Sequence, residues 1–154
     1  MRSIVAVTNE MDDAGRAVQE LSQQIEAAGP LGKNSCGIVF CDVEMDHEAF
    51  TAELRKQLPF EIVGCTSIAT FDTENGAQIM TAVLLVLTAD DACFAVELTD
   101  TLTSENVSAQ LKEAYGRAKA SLGEAGKLIF LVPPFDNATP LDEYVDVLSE
   151  VSGH

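Results

Sequence analysis

Basic residues are scarce in this chain. Nine lysines and arginines stand against 25 aspartates and glutamates, a formal net charge of −16. A surface of that sign repels phosphate backbones, which excludes nucleic acid and anionic membranes as general partners. Long apolar runs are also missing. The longest, Ile79 to Ala89, is interrupted by Thr81 and Thr88 and falls well short of the ~20 residues that span a bilayer. Met1 to Asp13 contains one basic residue and only the brief run Ile4 to Val7 before Glu10, Asp12 and Asp13, so it carries no signal-peptide core. A soluble, cytoplasmic chain is the expectation.

The chemical motifs that are absent narrow the field further. Cys36, Cys41, Cys65 and Cys93 form no C-x-x-C pair, and with two histidines they give no zinc spacing. They read as reduced thiols, with no metal. No phosphate-binding loop of either common type occurs, so no nucleotide or other cofactor is expected. A receiver-type phosphoacceptor pocket built from Asp12, Asp13 and Asp42 fails because Lys127 sits at the start of its apparent strand and not at the end.

What is present suits one folded domain spanning residues 1–154. The chain is 47 % hydrophobic and 22 % charged, with 5 prolines and 10 glycines, which is ordinary globular usage. Ser3 to Thr8 is a β-branched run. Ala14, Val18, Leu21, Ile25 and Ala28 then recur at helical spacing and stop at Gly29-Pro30. Cys36 to Val43 reads as a strand covered on both faces. Asp46 caps a helix bearing Phe50, Leu54 and Leu58, ended by Pro59. Ile62 to Cys65 is a third short strand. Ile68 to Phe71, Gln78 to Leu87 and Cys93 to Leu98 follow as a β-meander with turns at Thr73 to Gly76 and Ala89 to Asp91. A helix from Ser104 to Leu122, a buried strand from Lys127 to Val132 and a helix opened by Thr139-Pro140 complete the chain. The predicted class is α/β: a mixed β-sheet flanked by helices, in the order β-α-β-α-β, meander, α-β-α.

In such sheets ligands gather beyond the carboxyl ends of the parallel strands. Thr8, Asn9, Glu10 and Asp12 belong there, with Asp42, Glu44, Asp46 and His47, then Cys65, Thr66 and Ser67, and finally Asp136 and Asn137. This acidic, polar mouth suits an amine or a hard cation, with Asp42 and Glu44 facing solution. The competing explanation is helix capping, which draws the same residue types to the same places. Cys65 and His47 follow neighbouring strands and could form a nucleophile and base pair. A buried thiol and an exposed first-turn histidine would look the same.

The stretch Ser35 to Pro59, the string Val63-Gly64-Cys65-Thr66-Ser67, the run from Gly76 to Leu87 and the segment Gly126 to Val151 resemble, in order and spacing, the N-terminal half of FIST sensory domains. The name comes from F-box and intracellular signal transduction proteins. The resemblance covers roughly Met1 to Val151, and Gly-Cys-Thr/Ser after a buried strand is its distinctive motif. It implies a cytoplasmic module that senses small ligands, amino acids or other amines among them, and that works with a C-terminal FIST half or a signalling output domain. One departure stands out. Ala69-Thr70 occupies the place of the family's Gly-Glu.

The leading expectation is therefore a non-enzymatic ligand-sensing domain of a signal-transduction protein. Its candidate ligand-binding residues are Gly64, Cys65, Thr66, Ser67, Asp42 and Glu44, with Gly64 turning the backbone so that amides and hydroxyls face a ligand. Two alternatives remain: a small cysteine-dependent hydrolase or transferase using Cys65 and His47, and a structural half-domain that self-associates as a homodimer.

Overall fold

The computed structural model describes residues 1–72, 76–124, 126–134 and 140–153. Contacts divide the chain into two compact units, Met1–Phe94 and Ala95–His154. The first holds strand β1 (Arg2–Thr8), helix α1 (Ala14–Ala27), β2 (Asn34–Asp42), α2 (His47–Gln57), β3 (Glu61–Ser67), β4 (Thr70–Asp72), β5 (Gly76–Gln78) and β6 (Ala82–Ala89).

Both helices start where a carboxylate can cap them. Asp13 accepts the Arg16 amide at 3.0 Å and Asp46 accepts the Ala49 amide at 3.0 Å, each satisfying one of the orphan donors of a first helical turn. Their apolar stripes, including Val18, Leu21, Phe50 and Leu54, pack with Ile4, Ala6, Val39, Leu84 and Val86 into one core. Removing a side chain such as Leu21 or Phe50 from water contributes about 2–3 kcal/mol each.

The sheet order is β1-β6-β2-β3, with β2 and β3 parallel and β6 antiparallel to both its neighbours. This is the mixed α/β architecture expected, but the meander is not formed as drawn. β6 lies between β1 and β2 because it is the most continuously apolar strand, and Ala82, Leu84 and Val86 are fully buried there. With both edges of β6 occupied, Cys93 to Leu98 cannot pair with it as the meander required, and it forms no strand. β4 and β5 pair only with each other. The turn expected between them falls on Thr73 to Asn75, outside the described residues.

The second unit contains α3 (Val107–Leu122) and α4 (Leu141–Ser152), which pack through Val107, Leu111, Tyr144 and Val147. Lys112 pairs with Glu150 across them at 2.9 Å. Gly123 adopts the left-handed conformation that ends α3. The strand expected from Lys127 to Val132 is not formed: Leu128 is 85 % exposed and Phe130 54 %. An apolar run becomes a strand only where a partner takes up its backbone hydrogen bonds, and none does so among the described residues. On α4, Leu141 and Val145 face solvent while Tyr144 and Val147 are buried. Asp136, Asn137 and Thr139 lie outside the described residues. No helix among those described is long and apolar enough to cross a membrane.

Candidate functional site

At the carboxyl end of the β2–β3 pair, Asp42 closes β2. Its carboxylate is only 5 % exposed, contrary to the solution-facing position expected of it. Oδ1 accepts the Glu44 amide at 3.0 Å and Oδ2 accepts the Met80 amide at 2.8 Å. Met80 has φ of 54°, a left-handed backbone that a methionine adopts only where its surroundings fix it. The Asp42 carbonyl accepts Nε2–H of His47 at 3.0 Å, which places the imidazole proton on Nε2. Nearby, Glu10 accepts the amides of Asp12 and Asp13 at 3.1 and 3.2 Å and pairs with Arg16 at 2.8 Å. The acidic mouth is thus largely consumed by capping. Glu44 and Asp12 remain exposed, and no group of three metal-ligating side chains forms among the described residues.

Gly64 to Ser67 is not a turn. The four residues continue β3, opposite Val39, Phe40, Cys41 and Asp42 in parallel register. Gly64 is nevertheless a position for glycine alone: a Cβ there would stand 1.9 Å from the Val39 carbonyl oxygen and 2.6 Å from its Cγ1. Close approach of two strands, and not a left-handed turn, is the requirement. Ser67 sits beside Asp42 and donates its hydroxyl to the Ala69 carbonyl at 2.6 Å. Gly64 lies three residues back along the strand, about 10 Å away. The register therefore brings Asp42 and Ser67 together and strings Thr66, Cys65 and Gly64 along an edge.

Two of the thiols are buried. Burial pushes Cys36 up, and it pushes Cys41 up with help from Cys65 and Asp42, so both stay protonated at neutral pH. Among the described residues no hydrogen bond joins His47 to Cys65.

The opposite end of the same strands is different. A depression of about 870 Å³ opens at the amino ends of β2 and β3, within the usual ~300–1,000 Å³ of small-molecule sites. Its first wall is the segment Leu31 to Ser35. The Gly32 amide donates to Thr88 Oγ1 at 2.7 Å, the Lys33 amide to Asp90 at 3.0 Å, and Asn34 Nδ2 to the Ala92 carbonyl at 2.8 Å. A Cβ at Gly32 would meet the Ala89 backbone at 2.7 Å, so this wall lies flat against the end of β6. The second wall is the exit of α2, with Arg55, Leu58, Phe60 and Glu61, and the third is Cys93 with Phe94. None of the six residues selected from sequence lines this depression. Its polar members were missed because they carry no motif. The one available signal was the scarcity of cations, which makes each arginine and lysine worth locating.

The model of the FIST N domain matches residues 35–153. The chain belongs to the FIST family. FIST domains are sensory domains of signal-transduction proteins, so the expected family is the observed one. No curated protein and no solved structure matches the chain significantly. Within the FIST match fall β2 from Ser35 onward, α2, β3 and the α2 exit with Arg55, Phe60 and Glu61, whereas β1, α1 and Leu31 to Asn34 of the first wall precede it.

Proposed function

We propose that this FIST domain is a cytoplasmic small-ligand sensor that works by binding and not by catalysis. The observation that carries this reading is the depression at the amino ends of β2 and β3, whose first wall is fixed by hydrogen bonds to the β6 end and its following loop. A wall ordered before the ligand arrives costs little entropy on binding. The engagement of His47 with the Asp42 carbonyl, and the lack of a hydrogen bond from His47 to Cys65 among the described residues, weigh against the hydrolase alternative. Exposed Glu44, two residues beyond the Asp42 that lies opposite Ser67, is the place for an amine. Signalling output runs to a second FIST half, an output domain or a second copy, for which the outer edge of β3 offers unpaired backbone.

The test is thermal unfolding in the presence of amino acids, simple amines and simple carboxylates. A ligand at 100 times its Kd adds about 2.7 kcal/mol, or about 5–10 °C in a chain of this size. At least one class is expected to do so. Unchanged melting with all three classes overturns the sensor.

A further inference from the structure

We propose that the depression at the amino ends of β2 and β3 is a seat for a small amphipathic carboxylate, its head held by Lys33 and Arg55 and its apolar body by Leu31, Leu58, Phe60 and Phe94. This rests on the sensor reading and specifies its ligand.

The charge distribution leads to it. Of the nine basic side chains, set against 25 acidic ones, four form ion pairs among the described residues. Arg16 pairs with Glu10 and Glu20, Lys56 with Glu53, Lys112 with Glu150, and Arg117 with Glu97 and Glu113. Arg2 is spent on the carbonyls of Ala28, Gly29 and Pro30. Among the described residues Lys33, Arg55, Lys119 and Lys127 form no ion pair, and of these Lys33 and Arg55 line the same depression. Glu61 is the one carboxylate of the lining, which therefore carries a charge of +1 on a chain of −16, while the Asp90 carboxylate is turned onto the Lys33 amide behind it. One negative charge neutralises the lining, which suits a monoanionic carboxylate. Elsewhere the acidic surface repels such a ligand, and a concave lining of net positive charge raises its local concentration.

The apolar side is equally defined. A second depression of about 430 Å³ shares the wall of Leu31, Leu58, Pro59 and Phe60 and continues to Ile25 and Pro30. An apolar body longer than one ring therefore has somewhere to go. The polar groups beside the cations are already engaged: Asn34 Nδ2 with the Ala92 carbonyl, and the Ser35 hydroxyl with Thr88 at 2.8 Å. Head-group recognition falls to the two cations.

The experiment uses three probes with one apolar body and three heads: 4-phenylbutyrate, its primary amide and 4-phenylbutylamine, titrated into the whole chain by calorimetry. The acid is expected to bind about tenfold more tightly than the amide, the sum of two exposed charge pairs, and to weaken in 0.5 M salt. The amine is expected not to bind. The double variant Lys33→Gln/Arg55→Gln brings the acid down to the level of the amide, with melting of the free chain unchanged because both side chains are exposed. Equal binding of acid and amide, tighter binding of the amine, or an acid affinity untouched by the double variant overturns the seat. If these three probes fail while another compound raises the melting temperature, the sensor stands and the carboxylate seat falls. If nothing raises it, both fall.

Discussion

The two ends of the β2–β3 pair use charged residues in opposite ways. At the carboxyl end Asp42, Asp46, Glu10 and Asp13 are turned inward or along the chain, onto backbone amides. At the amino end Lys33 and Arg55 are left to a concave surface. Acidic residues cluster at the carboxyl end because the start of a helix and a tight loop both demand carboxylates for their own amides. Cations meet internal demands of their own, as Arg2 does on the carbonyls that follow α1 and Arg55 does in the last turn of α2, so what distinguishes Lys33 and Arg55 is the concave surface they share.

The contrast breaks most severely at Gly64, which lies between the two ends. Any Cβ at that position must displace the Val39 carbonyl, and the register between β2 and β3 cannot absorb such a shift. Gly64→Val is expected to cost about 4 kcal/mol or more, read as loss of a cooperative urea transition or a melting point lowered by more than 10 °C, roughly. Gly64→Ala should already destabilise. A wild-type melting curve for Gly64→Val would mean that the two strands are not held this close.

Asp42 comes next. Replacing it with alanine leaves the Glu44 and Met80 amides without their carboxylate, and an orphaned buried donor costs ~1–3 kcal/mol. Asp42→Ala is expected to lower chemical stability by about 2–3 kcal/mol, and Asp42→Asn by less, since one oxygen survives. Full stability of Asp42→Ala would free this carboxylate for a ligand and restore the acidic mouth as a site.

Much of the fold could be read locally, and the failures share a cause. α1 and α2 were legible because a cap, an apolar period and a stop lie within fifteen residues or so of each other. The place of β6 was not, since its partners β1 and β2 are chosen by which strand most needs burial, a property of the whole sheet. Once β6 is central, Cys93 to Leu98 cannot join it, and that follows from topology alone. Gly64 was correctly singled out as a glycine-only position but for a turn that does not exist, because sequence shows that a side chain is missing and not which neighbour excludes it. The depression draws on Leu31 to Ser35, Arg55 to Glu61, and Cys93 with Phe94. No one of these segments is distinctive, and only the fold juxtaposes them.

A smaller effect separates the buried thiols from the solvent. Cys36 and Cys41 have raised pKa values in the folded chain, chiefly through burial. A raised folded value means that their contribution is complete below the ordinary thiol pKa of about 8.5 and is lost as pH climbs from there toward the folded value. Over that interval the unfolded thiols ionise while the folded ones stay neutral. Stability should decline by at most about 1.4 kcal/mol per pH unit for each such thiol. Urea midpoints between pH 7.5 and 10.5 measure this, and Cys41→Ala should flatten the alkaline slope relative to the parent. Identical slopes would show that Cys41 ionises as freely in the fold as out of it.

The finest discrimination pairs one exposed carboxylate from each end. Glu44 and Glu61 are both solvent-facing, so Glu44→Gln and Glu61→Gln should each leave stability within about 0.5 kcal/mol of the parent. Their effects on ligands should nevertheless diverge. Glu61 is the only acidic member of the lining that contains Lys33 and Arg55, and removing it raises that lining from +1 to +2. Glu61→Gln should then tighten 4-phenylbutyrate by about two- to fivefold, the worth of one exposed charge interaction, with the gain shrinking as salt shortens the Debye length. Glu44→Gln, at the far end of β2, should leave that affinity unchanged. If both variants tightened the acid alike, the gain would come from the net charge of the whole chain and not from a local positive site, and the contrast between the two ends would lose its functional meaning.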